Sequence, residues 1–177
     1  MRCVQFPKSF PLLGLVFLAL SSCATNQVDK MPASLIPPPD QKMILQAMGE
    51  GVQIYTCEKS SDNAYAWVAS GQVADLYDGT GNALASLAKG PRWSTPEGSA
   101  ITGVVVASAL APKEDEDIPW VLWKGSDATG KGTLARVTSI RQIRTRGGLS
   151  PTKGCTAEKV GKTTKASYAA TYQFFAP

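Results

Sequence analysis

Hydrophobic and polar positions divide the chain into three stretches. Residues 10–20 are apolar almost throughout (Phe10, Leu12, Leu13, Leu15, Val16, Phe17, Leu18, Leu20), broken only by Pro11, Gly14 and Ala19. Residues 24–40 are polar and proline-bearing, with Asn26, Gln27, Asp29, Lys30, Pro32 and the run Pro37-Pro38-Pro39. From Met43 onward, apolar alternations recur between glycine and proline turns, and none sustains the period of a helix.

The third stretch predicts strands. Met43–Met48 leads through Gly49-Glu50-Gly51 into Val52–Cys57, where Val52, Ile54 and Thr56 share one face and Gln53, Tyr55 and Cys57 the other. The two glycines predict a bulge or bend between two strand segments. Ser60–Asn63 is a turn and Ala64–Val68 the returning partner. Asp78-Gly79 marks a hairpin within 74–84, because its turn needs a positive φ that glycine adopts freely. Ala100–Ala107 reads as a central strand, Ile118–Lys124 as another, and Thr133–Thr145 as a long one. Residues 149–165 are a polar connection. In Ser167–Phe175 the residues Tyr168, Ala170, Tyr172 and Phe174 alternate with their neighbours, as a half-buried strand requires. The expectation is an all-β fold, a single antiparallel β-sandwich or barrel-like domain of short strands.

The first stretch predicts export. Arg2 and Lys8 precede an apolar run too short for a spanning helix, which needs about 20 residues. Leu20-Ser21-Ser22-Cys23 follows at once and reads as a lipobox, cleaved between Ser22 and Cys23. An ordinary signal with a chance cysteine and an uncleaved anchor are the rival readings, and the four-residue match favours lipid. One acyl chain holds a protein only marginally, at about 0.8 kcal/mol per buried methylene. Bacterial lipoproteins, which this segment resembles, carry three chains on that cysteine. Ala24, rather than aspartate, follows it, which in the Gram-negative sorting pattern favours the outer membrane. The expected organisation is a signal peptide over 1–22, a lipidated anchor and Pro-rich tether over 23–41, and a β-rich domain over 42–177. The expected location is the cell envelope, lipid-anchored, on the outer membrane facing the periplasm.

Composition narrows the chemistry. The whole chain carries +4. Arg2 and Lys8 leave with the signal and no acid does, so sixteen basic and fourteen acidic residues remain, a net +2. That balance gives no argument for nucleic acid. The absence of histidine removes serine–histidine and cysteine–histidine catalysis. Cys3 leaves with the signal and Cys23 takes lipid. Cys57 and Cys155 then remain in an oxidising compartment, where a disulfide is the natural reading and two buried thiols or a metal site the alternatives. Two sulfurs and no histidine make a poor metal site.

No catalytic constellation stands out, and no cofactor or metal is implied. Lys113–Asp117 lacks the spaced ligands of a calcium loop, and neither Gly130-Lys131-Gly132 nor Gly147-Gly148 opens a helix that could cradle phosphate. Asp75 with Asp78, or Glu97, could serve acid–base chemistry, yet all sit at turns where solvation keeps them ordinary. The candidate surface or ligand contacts are Tyr77, Trp93, Trp120, Arg141 and Arg144, although core packing is the better single reading of each aromatic.

A set of short elements, taken together, is similar to a known family. They are Gly51–Cys57 (Gly-x-Gln-x-Tyr-x-Cys), Leu76–Gly81, Gly90-Pro91-Arg92-Trp93 with Gly98-Ser99 and Gly103, and Ile118–Leu122. Thr145-Arg146-Gly147-Gly148, Pro151 with Cys155, and Tyr168–Phe175 complete them. The family is domain of unknown function 3455, and the resemblance spans nearly all of residues 42–175. It implies an exported β-rich domain with its two cysteines paired, and no established activity. Many members place a histidine shortly before the Gly-Pro-x-Trp element. Here Ser86-Leu87-Ala88-Lys89 carries none, so any chemistry of that histidine is missing. The layout also loosely resembles membrane-bound C-type lysozyme inhibitors, without a match to their inhibitory motif. The functional expectation is a lipid-anchored, non-catalytic binding or structural module. Its partners are the membrane through Cys23 and an unidentified protein or glycan. An inhibitor of a wall-lytic enzyme is the alternative.

Overall fold

A computed structural model of the protein describes residues 30–177. Eight strands run in chain order around a closed antiparallel barrel: β1 (Lys42–Lys59), β2 (Tyr65–Tyr77), β3 (Ala83–Ala88), β4 (Arg92–Ser94), β5 (Ala100–Ala109), β6 (Trp120–Thr129), β7 (Ser139–Gly147) and β8 (Thr163–Ala176). β1 closes the barrel against β8, in register from Lys42↔Ala176 to Thr56↔Thr163. Of the two expected architectures, the barrel is the one formed. Cys57 and Cys155 are disulfide-bonded across 98 residues, with Cα atoms 5.3 Å apart.

Strand length departs from expectation. β1, β2 and β8 are 18, 13 and 14 residues long. Gly71 sits inside β2 without ending it. No bulge forms at Gly49 or Gly51; the register shifts of β1 fall at Met43/Leu45 and Ile54/Tyr55. The glycines instead make room. A Cβ on Gly49 would lie 2.5 Å from the Tyr172 ring, and one on Gly51 2.0 Å from the Val73 carbonyl oxygen. The β2–β3 hairpin forms, but Gly81 takes the positive φ rather than Gly79. The Asp78 carboxylate organises that loop, accepting from the Thr80 and Asn82 amides, the Thr80 hydroxyl and the Asn82 side chain. These donors, the Thr80 hydroxyl foremost, hold its pKa well below the ordinary carboxylate value. Thr133–Arg136 is a 3-10 turn rather than the start of a strand, and β7 begins at Ser139.

The barrel is filled. An eight-stranded barrel is just wide enough for its own side chains, and Trp93, Trp123, Tyr172 and Phe174 pack inside it. Around Trp93, the rings of Trp123, Tyr172 and Phe174 stand edge-on at 5.3, 6.2 and 6.3 Å, the arrangement ring quadrupoles prefer. β8 delivers Tyr168, Ala170, Tyr172 and Phe174 to this core as its alternation predicts. Three polar side chains inside are chained together, while the Trp93 indole N–H has no partner. Tyr172 donates to Gln142 Oε1 at 2.8 Å, which leaves the Tyr168 hydroxyl to donate to Tyr172 at 2.7 Å. Burial raises both phenols, Tyr168 to about 12.

A second apolar cluster lies outside the wall. Trp120, Leu122 and Ile143 alternate with inward residues of β6 and β7, so they face outward, and Leu35 and Ala111 cover them. Leu35 sits on a 3-10 turn, Ala33–Leu35, and is wholly buried. The described part of the proline-bearing stretch is therefore docked on the barrel, with packing reaching back to Met31.

Candidate functional site

Among the described residues, a recess lies at the barrel end formed by the β5–β6 loop and the end of β7. It is a cleft of about 640 Å³ lined by Pro112, Lys113, Glu116, Asp117, Trp120 and Arg144–Gly147.

Local chemistry builds it from two directions. On the loop, Asp117 bridges to Gly148, and its carboxylate accepts the Gly147 amide at 2.7 Å. The Ile118 amide donates to the Gly147 carbonyl at 3.0 Å. On β7, the register against β8 slips between Ile143 and Arg146. Arg144 takes φ +49°, a region most side chains avoid. Thr145 is buried between the two arginines and donates to the Ile118 carbonyl at 2.6 Å. This pin turns Arg144 and Arg146 to solvent on either side of it. Gly147 and Gly148, both at positive φ, carry the chain away, and Gly148 leaves no room for a Cβ between Tyr168 and Ile118. Tyr55 donates to the Gly148 carbonyl at 2.6 Å, tying β1 to the same corner.

Charge in the cleft is unevenly spent. Lys113 is paired with Glu116 at 3.0 Å, the one ion pair among the described residues, and Asp117 is occupied by the Gly147 amide. Arg144 and Arg146 have no carboxylate partner among the described residues. Trp120 is 2 % exposed and its indole N–H has no acceptor, a shortfall that costs about 1–3 kcal/mol when a buried donor is left alone. The cleft thus offers two guanidiniums, while its own carboxylates are taken up by Lys113 and the Gly147 amide and the Trp120 N–H is buried in the wall.

The five candidate contacts separate. Trp120 and Arg144 line the cleft. Trp93 is wholly enclosed in the barrel core, where no outside ligand meets it. Arg141 is committed to structure: it donates to Gln173 Oε1 from Nε and Nη2 at 3.0 and 2.7 Å and to the Leu35 carbonyl from Nη1 at 3.1 Å, and it stacks over Phe175. Partial burial draws its pKa down. Tyr77 closes β2 opposite Met48, half-buried and away from the cleft lining. Asp75 is exposed on β2, Asp78 is the hub of its turn, and Glu97 lies near Ser99 in the β4–β5 turn. Cys23 and Ser22 lie outside the described residues. Among the described residues, no group of three or more acidic or cysteine side chains is placed to hold a metal.

Sequence reasoning missed Arg146, Lys113 and Asp117. A signal was present: Ile118–Leu122 and Thr145–Gly148, two of the segments behind the family resemblance, meet here.

The chain matches the family described as "Protein of unknown function (DUF3455)" over residues 38–87 and 81–176. No curated protein and no solved structure matches it.

Proposed function

For this chain, which belongs to the DUF3455 family, we propose a lipid-anchored protein of the cell envelope whose barrel is a binding module. Its cleft takes an anionic group, a carboxylate or phosphate, between Arg144 and Arg146. The observation that carries the reading is the contrast between a barrel interior packed with aromatic rings and an open cleft whose two guanidiniums have no acidic partner. Arginine's planar fork matches both anions. The pinned bulge holds the pair in place before any ligand arrives, which lowers the ordering cost of binding.

The anchored location is supported by the lipobox at Leu20–Cys23 and by the Cys57–Cys155 disulfide, which belongs to an oxidising compartment. Ala24 favours the outer membrane, facing the periplasm.

Two measurements test the reading. Intact-mass analysis of protein recovered from cells should give a chain beginning at Cys23 and carrying lipid; a chain starting at Met1, or a bare thiol at position 23, contradicts the anchor. Calorimetric titration with inorganic phosphate and N-acetylmuramic acid, against neutral N-acetylglucosamine, should show salt-dependent binding of at least one acid and none of the neutral sugar. Binding unchanged in an R144A/R146A variant, or no binding of either acid, rejects the cleft.

A further inference from the structure

From the docked tether we infer that the barrel sits on the bilayer by one particular wall, the exposed edge of β5 beside Ala33–Leu35. This rests on the anchored reading of Cys23 and adds an orientation to it.

A lipid anchor alone fixes where a domain is but not which way it faces. Here the approach to the domain is attached. Leu35 is wholly buried against Trp120, Leu122 and Ile143, Met31 packs beside it, and Arg141 holds the Leu35 carbonyl at 3.1 Å. Ala107 and Ala109 of β5 belong to the same cluster. The chain therefore leaves the barrel at its β5–β7 wall. Eight backbone steps lead from Cys23 to Met31, about 28 Å at full stretch, so this wall stays close to the lipid.

That wall is also where apolar surface is left uncovered. Val104, Val105 and Val106 are 56, 59 and 56 % exposed, Leu110 66 % and Ile36, next to the docked turn, 58 %. No charged residue occurs from Ile101 to Pro112. β4 pairs with β5 only from Ala100 to Thr102, so from Val104 onward β5 has no strand on that side among the described residues. Soluble edges are commonly guarded by charge, proline or a covering element. Here the Ala33–Leu35 turn covers the Ala107 and Ala109 side of β5, while the register shift at Val105/Ala107 leaves Val104–Val106 and Leu110 uncovered. A contiguous apolar patch of this kind marks an interaction surface, and the short tether selects the bilayer boundary as its occupant.

Hydrogen exchange tests this on the mature chain held to phosphatidylethanolamine–phosphatidylglycerol vesicles through Cys23. The native lipid serves if intact mass finds it; a bare thiol is coupled to a maleimide phospholipid, so failure of the anchor reading does not stop the test. The comparison is a V104E/V106E variant on the same vesicles, with unchanged thermal midpoint as the control for folding. We expect the amides of Val105 and Ala107–Leu110 to exchange at least ten-fold more slowly in the natural sequence, with β1–β3 amides unchanged. Equal exchange in the two proteins overturns the orientation. Protection that rises with protein density on the vesicle also overturns it, and gives the edge to a second copy of the chain.

Discussion

The wall of this barrel is built in two qualities. From β6 through β8 to β1 its inner face is lined by Trp123, Ile140, Tyr172 and Phe174, and over β6 and β7 its outer face is covered too, with Trp120, Leu122 and Ile143 beneath Leu35. From β2 to β5 it thins. β4 is three residues long, and β3 pairs with β2 only from Ala74 to Tyr77. Stability is invested in the first side, where a side chain meets partners in two clusters. The second leaves strand edges and valines open. The cleft belongs to the rim of the thick side, which is why its arginines can be held in a strained bulge. Burial of Thr145 and the two glycines behind it over-determine the backbone.

The sharpest way to break this contrast is to empty the core at its centre. Trp93→Ala should cost about 3–5 kcal/mol, read as a fall in the denaturant midpoint; a loss under 1 kcal/mol means Trp93 is not the hub its three ring neighbours imply. Next comes the disulfide. Reduction of Cys57–Cys155 frees a loop of 98 residues and should lower stability by about 2–4 kcal/mol, with the thermal midpoint as readout. Leu35→Ala tests whether the outer sheath is part of the domain, and about 2–3 kcal/mol is expected for a buried leucine. A surface-like effect, within about 0.5 kcal/mol, would return that segment to a mere spacer. Smaller still is the pH effect at Asp78. Its folded pKa is depressed, so its contribution is complete above the ordinary carboxylate value and fades as pH falls through the folded one. D78N should therefore flatten the acid limb of the stability profile, and an unchanged limb contradicts the loop geometry. R144A/R146A should leave stability within about 0.5 kcal/mol while removing anion binding.

Much of the sheathed half was legible beforehand. The alternation of Tyr168, Ala170, Tyr172 and Phe174 placed β8 correctly because a buried strand writes its two faces directly into sequence. Cys57 and Cys155 followed from compartment and count. What misled were glycines and lone apolar residues, whose role is set by distant partners. Gly49 and Gly51 look like a bend; they are gaps filled by Tyr172 and approached by β2. Leu35, among prolines and polar residues, has no periodic neighbour to betray its burial. Val104–Val106 has the composition of a central strand, yet it pairs only with β6, the β4 partner stopping at Thr102. The cleft was half legible. Trp120 and Arg144 were picked as contacts; Arg146, two residues on and of the same parity, was not, and the register slip that shapes this corner is invisible to a period-two reading.

The central claim, that the barrel is solid and meets its ligand on the rim, is most directly tested by heteronuclear NMR during titration with inorganic phosphate and N-acetylmuramic acid. The predicted result is shifts confined to the Arg144, Arg146 and Gly147 amides and the Trp120 indole, with the Trp93 indole and Tyr172 unmoved. Shifts led by Trp93 and Tyr172 would contradict it, because they would mean that the interior opens to take the ligand.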